Sequence, residues 1–288
     1  MTSLSVMGVG KIGGEVAYLA SVLGIADEIC LYDSNAALTR AQALDILHTG
    51  IDLSISTDPD DISGADIAVF SAGIARTPDI RTRADLLSVN LPAADDCAAF
   101  LEGYYGVLIT ITNPMDANNY YLHRRCGIPR ERCIGFGGQL DAARFGGYLK
   151  EFGIRGDAWV LGEHGEHQVP LFSSLPEDVP EDIRNDILGK MRWSSMEVIR
   201  GKGGTVFGPA WHIASLIRTV AEDAHVVLPV SCVLNGEYGV SGCSVGVPAR
   251  IGKNGIEEII EWDLDDWEEA RFREAVEASC ALCRRADE

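Results

Sequence analysis

Basic residues, and lysine above all, are scarce in this chain. Its 288 residues include 24 Lys or Arg against 43 Asp or Glu, a formal net charge of −19 at pH 7, and lysine occurs only at positions 11, 150, 190, 202 and 253. A surface of this charge repels phosphate backbones and anionic lipids, so we expect no nucleic acid and no membrane among its partners. Any anionic ligand must instead be bound by a few well-placed arginines.

Long hydrophobic runs are missing as well. No segment reaches the roughly 18 consecutive apolar residues of a membrane span, and the first residues lack the basic region and apolar core of a signal peptide. We therefore expect a cytoplasmic protein. The eight cysteines are scattered, which predicts reduced thiols, and Cys280-x-x-Cys283 without a second pair predicts no metal site.

Apolar, strand-like runs alternate with helical patterns in the first half of the chain. The runs end at loop-forming residues and cover 4–7, 28–33, 66–73 and 107–114, and the helical segments between them include 36–48, 84–102 and 115–126. This alternation predicts an α/β fold with a doubly wound parallel sheet of the Rossmann type over residues 1–140. Farther on the alternation fades, and a segment rich in Val and Gly at 226–251 predicts antiparallel hairpins. We expect residues 141–288 to form a second, α+β domain.

A glycine-rich turn follows the first predicted strand. Gly8, Gly10 and Gly13 have the spacing of a dinucleotide-binding turn, and Asp33 follows about 20 residues later at the end of the next strand. The glycines allow a pyrophosphate to approach the helix N-terminus. Asp33 can accept hydrogen bonds from ribose hydroxyls, and its charge disfavours a 2′-phosphate, so NAD is the predicted cofactor. A plain turn and a surface acid are the alternative.

The residues around His164 point to proton transfer. His164 lies between Gly162 and Gly165 in a predicted loop, and Asp141 is a candidate carboxylate to orient its imidazole. Arg144 follows Asp141 on the same face of a predicted helix, where it can bind a carboxylate with two hydrogen bonds. A structural ion pair is the alternative.

Two further polar segments follow predicted strands. Arg76, Arg81 and Arg83 make the segment after 66–73 a basic loop that can close over an anion. Asn113, before Pro114, can bond both cofactor and substrate, although a turn-forming role explains an Asn-Pro pair equally well. Ligands of open α/β sheets bind beyond the carboxyl ends of the strands, so both segments are candidates for the site.

Together these motifs resemble the NAD-dependent malate and lactate dehydrogenase family, most closely its archaeal-type malate dehydrogenases. The resemblance covers almost the whole chain. The motifs that carry it are Gly8/Gly10/Gly13 with Asp33, Ala72-Gly73, Arg83-x-Asp85-Leu86-Leu87-x-x-Asn90, Asn113-Pro114-Met115-Asp116, Leu140-Asp141-x-x-Arg144, Gly162-Glu163-His164-Gly165, Lys202-Gly203-Gly204-Thr205 and Gly236-Glu237-Tyr238-Gly239.

The resemblance implies that the domain of residues 141–288 binds the substrate and carries catalytic groups, and it implies a role for each site residue. His164 would donate and accept the proton, Asp141 would hold it, and Arg144 would bind the C1 carboxylate of the substrate. Arg83 would polarise the reacting carbonyl, and Asn113 would bond the substrate oxygen. The residues implied at the cofactor are Gly8, Gly10, Lys11, Ile12, Gly13, Asp33, Asn90 and Ile111.

The resemblance also implies interconversion of (S)-malate and oxaloacetate. Arg76 occupies the place of the family arginine that pairs with the second carboxylate of a dicarboxylate substrate, but the loop is one residue longer, so Arg81 competes for this role. An L-lactate or other 2-hydroxy-acid dehydrogenase is one alternative, and a non-catalytic NAD(H)-sensing protein is another. Relatives of this kind form homodimers or homotetramers, and we expect the same here.

Overall fold

The computed structural model describes residues 2–74, 80 and 82–288. The strands of this part of the chain are β1 (Ser3–Met7), β2 (Glu28–Tyr32), β3 (Ser54–Ser56), β4 (Ile67–Phe70), β5 (Val107–Thr110), β6 (Cys133–Gly135), β7 (Val160–Gly162), β8 (Gln168–Pro170), β9 (Val226–Asn235), β10 (Ser241–Gly252) and β11 (Gly255–Ile259). Its α-helices are α1 (Lys11–Val22), α2 (Ala36–Leu47), α3 (Arg83–Ala98), α4 (Met115–Cys126), α5 (Gly138–Glu151), α6 (Glu181–Lys202), α7 (Phe207–Ala221) and α8 (Asp266–Asp287).

The first six strands form a parallel sheet in the order β3-β2-β1-β4-β5-β6. Every residue of β4 and β5 is buried, as expected for strands that helices cover on both faces. The predicted doubly wound Rossmann sheet is confirmed. The short strands β3 and β6 were not predicted, because three-residue strands carry too little pattern to be recognised.

The second half of the chain is built on the antiparallel hairpin of β9 and β10, whose pairing runs from Val226 opposite Ile251 to Asn235 opposite Ser241. Strand β10 also pairs with β7 and β11, and β9 meets β6 where Ser231 lies opposite Gly135. The described strands therefore form one continuous sheet, and the predicted antiparallel hairpins are confirmed. The division at residue 140 stays a prediction, since α5 crosses it.

The cysteine prediction needs a correction. Cys243 of β10 is disulfide-bonded to Cys280 of α8, with 5.0 Å between their Cα atoms. The two are 37 residues apart in sequence, and only the packing of α8 on β10 brings them together. Cys283, the other half of the C-x-x-C pair, is a buried free thiol whose Sγ lies 3.9 Å from the Asp116 carbonyl oxygen.

The carboxyl ends of β1, β4 and β5 meet at one edge of the sheet, because parallel strands all run the same way. The segments that leave this edge carry Gly8, Gly73 and Asn113. In the second half of the chain, β7 ends at Gly162, two residues before His164. Within the described ranges no helix is long and apolar enough to cross a membrane.

Candidate active site

The glycine turn after β1 has the close packing that its spacing predicts. Gly8 has a φ of +93°, and a Cβ there would lie 2.2 Å from the Ala72 backbone nitrogen. A Cβ on Gly13 would lie 1.9 Å from the Gly8 carbonyl oxygen, so larger residues would separate β1 from α1. A Cβ on Gly10 would meet nothing within 4 Å. The backbone is thus compact beneath the turn and open above it.

Asp33 fixes this turn to the end of β2. Its carboxylate accepts the Val9 N–H at 3.1 Å and the Asn35 N–H at 3.0 Å. Helix α1 begins at Lys11 without a side-chain cap, so its positive end faces the space above Gly10. An open backbone, an uncapped helix N-terminus and a half-exposed acid fit the pyrophosphate and ribose of a dinucleotide.

Asn90, which was predicted to lie at the cofactor, is almost completely buried. Its side chain is 1% exposed and joins the segment after β4 to the segment after β5. The Oδ1 atom accepts the Ile74 N–H at 2.7 Å, and Nδ2 donates to the carbonyl oxygens of Ile74 at 3.2 Å and Asn113 at 2.7 Å. Ile111 follows β5 directly and donates its N–H to the Phe70 carbonyl oxygen at 2.9 Å. The cofactor roles of Asn90 and Ile111 stay predictions.

His164, Asp141 and Arg144 form one cluster. Asp141, in the first turn of α5, is 1% exposed, and its Oδ2 lies 2.6 Å from His164 Nδ1. Arg144, one turn later, donates from Nη1 to Asp141 Oδ1 at 3.1 Å. A carboxylate on Nδ1 makes that nitrogen the donor, which leaves Nε2 free to exchange a proton.

Arg83 joins this cluster from the other half of the chain. Its Nη2 donates to the His164 carbonyl oxygen at 3.0 Å, and its Nη1 lies 3.4 Å from Asn113 Oδ1. A capping box of Thr82 and Asp85 starts α3 at Arg83 and so fixes where the side chain emerges. A Cβ on Gly165 would lie 2.1 Å from Arg83 Nη2, so the glycine after the histidine makes room for the guanidinium.

The predicted residues for the distal end of the substrate, Arg76 and the competing Arg81, lie outside the described residues.

Two buried acids beside His164 received no role from the sequence. Asp116 is 4% exposed; it accepts the His164 backbone N–H at 3.0 Å and the Ser231 hydroxyl at 2.5 Å. Burial raises the pKa of Asp116 from 3.8 to about 6, against the opposing effect of the Ser231 hydrogen bond. Glu163 is 3% exposed and lies 3.4 Å from Arg83 Nε. Both acids belong to family-like motifs of the sequence, Asp116 to the segment that starts at Asn113 and Glu163 to the segment around His164. A sequence motif does not show which residues an acid contacts, so their roles could not be predicted.

The arrangement places a proton-exchanging imidazole and two guanidinium groups beside a dinucleotide turn. Such a site can hold an anionic substrate by its carboxylate, polarise a carbonyl and supply a proton while a cofactor exchanges hydride. The fold and site together define a dinucleotide-binding enzyme.

Comparison of the sequence with known proteins shows which family of dinucleotide-binding enzymes it resembles. The family model described as lactate/malate dehydrogenase, NAD binding domain, matches residues 2–135, and its alpha/beta C-terminal domain matches residues 139–279. Malate dehydrogenase of Natronomonas pharaonis is 40% identical over 296 residues, covering 96% of this chain and 97% of the relative. The chain belongs to the lactate/malate dehydrogenase family.

Solved structures agree with this relationship. Malate dehydrogenase from Archaeoglobus fulgidus, in complex with NADH, has a TM-score of 0.91 at 32% identity, with 100% of each chain covered. Malate dehydrogenase of Cryptosporidium parvum has a TM-score of 0.92 at 29% identity, with 99% of each chain covered. The predicted family is therefore confirmed.

Proposed function

We infer that this chain is an NAD-dependent dehydrogenase that interconverts (S)-malate and oxaloacetate. The observation that carries this function is the meeting of Arg83 with the His164, Asp141 and Arg144 cluster beside the glycine turn. An NAD(H) sensor needs only the nucleotide site, whereas this arrangement also provides a proton donor and receptors for an acid. The relatives named malate dehydrogenase favour a dicarboxylate over pyruvate.

Arg144 binds the C1 carboxylate in this proposal. Its side chain is 19% exposed and its guanidinium already pairs with Asp141, so it presents a fixed cation to the site. Arg83 donates to the reacting carbonyl oxygen, where negative charge grows during reduction, and Asn113 adds a neutral donor. These local cations overcome the repulsion that a chain of net charge −19 exerts on a dianion.

His164 moves the proton at Nε2. During reduction, the protonated imidazole delivers this proton to the alkoxide oxygen, and during oxidation Nε2 takes it back. Asp141 accepts the hydrogen bond of His164 Nδ1, which holds the imidazole in the orientation that exchanges its proton at Nε2. Gly8, Gly10, Lys11, Ile12, Gly13 and Asp33 would hold NAD, which supplies the hydride chemistry when bound.

Steady-state kinetics with oxaloacetate and pyruvate, each with NADH and NADPH, test the function. We expect NADH-dependent reduction of oxaloacetate to have the highest kcat/KM. Equal efficiency on pyruvate would contradict the malate assignment, and no turnover of any 2-oxo acid would favour the sensor. His164→Asn should bind NADH like the parent and barely turn over.

The distal carboxylate is proposed to pair with Arg76. Arg76→Gln should reduce kcat/KM for oxaloacetate and leave the low activity on pyruvate unchanged, because only oxaloacetate has the second carboxylate. Arg81→Gln is the matched control. A selective loss in Arg81→Gln instead would assign the role to Arg81.

We also propose a cytoplasmic homodimer or homotetramer. Apolar side chains are exposed on α1, where Val22 is 48% exposed, on α2, where Leu44 is 47% exposed, and on α6, where Trp193 is 62% exposed. Exposed apolar faces on helices are typical of subunit contacts. Light scattering coupled to size-exclusion chromatography gives the mass in solution, and a monomer would contradict this proposal.

A further inference from the structure

Glu163 is a buried carboxylate with a cationic partner on one side and an imidazole on the other. Its Oε1 lies 3.4 Å from Arg83 Nε. Its Oε2 accepts two hydrogen bonds from His167, one from the backbone N–H at 3.2 Å and one with ring Nδ1 at 2.7 Å. The His167 side chain is 42% exposed, so the ring covers the Glu163 carboxylate on the solvent side.

This arrangement orients the carboxylate. Two contacts on Oε2 restrict rotation of the carboxylate about its last side-chain bond, which keeps Oε1 directed at Arg83. Among the residues that the structure describes, three anchor Arg83: Glu163 at Nε, the His164 carbonyl at Nη2 and Asn113 at Nη1. Of these, Glu163 alone is charged. A charged anchor in a buried position is stronger than a neutral one, so Glu163 dominates the placement of the guanidinium.

We propose that Glu163 and His167 are positioning residues for the reaction, with His167 holding Glu163 and Glu163 holding Arg83 beside the carbonyl that is reduced. The proposal rests on the proposed function, because it assigns Arg83 to that carbonyl. Neither residue needs to touch the substrate. Their effect reaches the reaction through the guanidinium, whose misplacement reduces stabilisation of the transition state more than binding of the ground state.

Four variants of the full-length protein test it: Glu163→Gln, His167→Ala, His167→Gln and His225→Gln. Glu163→Gln keeps a hydrogen-bond acceptor but loses the charge. His167→Gln keeps a side-chain N–H that can reach Glu163, whereas His167→Ala does not. His225 is the matched control, because its Nδ1 lies 2.7 Å from Glu257 in a similar imidazole–carboxylate pair that is exposed and belongs to a different cluster with Asp223.

We expect Glu163→Gln to lower kcat for oxaloacetate by about tenfold or more, with the KM for NADH unchanged. His167→Ala should lower kcat by about threefold to tenfold, and His167→Gln should restore most of the loss. His225→Gln should match the parent. If circular dichroism shows that Glu163→Gln does not fold, the comparison of His167→Ala with His167→Gln is sufficient to test the proposal.

Turnover of the His167→Ala variant equal to that of His225→Gln would overturn the proposal. So would a loss in His167→Ala that His167→Gln does not restore, or a parallel rise in both KM values with lower thermal stability, since these indicate a general structural effect. A parent that reduces no 2-oxo acid would overturn the proposed function and this inference with it. An active parent with unaffected variants would overturn the inference alone.

Discussion

Replacing Asp116 with asparagine should make the protein more stable at neutral and alkaline pH. Asp116 is buried, and its contacts suit an amide as well as a carboxylate. An Asn Oδ1 can accept the His164 N–H, and Nδ2 can donate to Ser231 Oγ. The Ser231 hydroxyl can then turn to Ser244 Oγ, 2.8 Å away. The substitution therefore removes a buried charge, while the hydrogen bonds to the His164 N–H and to Ser231 Oγ can both be kept.

The size of the effect follows from the pKa of Asp116. Burial raises this pKa from 3.8 to about 6. Because the folded pKa lies above the unfolded one, the contribution of Asp116 to stability is fully present below about pH 4 and is lost as the pH rises through about 6. A shift of about two units at about 1.4 kcal/mol each gives a loss of about 3 kcal/mol. Asn cannot ionise and avoids this loss.

Urea unfolding at fixed protein concentration, at about pH 8 and about pH 5, measures the effect. The free energy of unfolding of Asp116→Asn should exceed that of the parent by about 3 kcal/mol at the higher pH and by about half as much at the lower. Asp45→Asn, at an exposed position on α2, is the control and should show no such dependence. A less stable Asp116→Asn variant, or an advantage independent of pH, would refute the reasoning.

Three other expectations follow from single contacts. Gly165→Ala should displace Arg83 and lower kcat for oxaloacetate by at least about tenfold with NADH binding intact, as steady-state kinetics and fluorescence titration will show. Cys280→Ser should remove the Cys243 cross-link and lower stability by about 4 kcal/mol, and a reducing agent should bring the parent to the same melting temperature. Asp33→Ser should raise the KM for NADH and weaken its preference over NADPH, since the turn loses an acceptor for Val9 and a charge that repels a 2′-phosphate.

Each of these has a contrary result. Unchanged kcat in Gly165→Ala would mean that Arg83 acts from another position. An intact parent mass equal to that of the fully reduced chain would exclude the disulfide. An unaltered ratio of NADH to NADPH efficiency in Asp33→Ser would remove Asp33 from cofactor selection.

The main motifs could be predicted because their chemistry is local. Gly8, Gly10 and Gly13 need only a strand before them and a helix after them, and Asp141 and Arg144 share a helix face by spacing alone. The parallel sheet followed from buried apolar runs that alternate with helices. The NAD-binding fold, the family and the hairpin at 226–251 were predicted in this way and are confirmed.

The contacts of Glu163, Asp116 and Cys243 could not be predicted in this way. Their partners lie far off in sequence: Arg83 for Glu163, Ser231 for Asp116 and Cys280 for Cys243. An acid in a loop or at a helix start is ordinarily solvated, so its residue type does not disclose burial or a raised pKa.

The sequence by itself determined the dinucleotide turn and the alternation of the main strands and helices in the first half of the chain, and it predicted His164 as the proton donor, because periodicity and short spacings are properties of neighbouring residues. Only the tertiary structure decided which groups meet. It brought Arg83 from the start of α3 to the carbonyl of His164, and it placed Glu163 and His167 behind that guanidinium. The physical reason is that these contacts depend on the strand pairing that joins β7, through β10 and β9, to the parallel sheet, and no local pattern encodes that pairing.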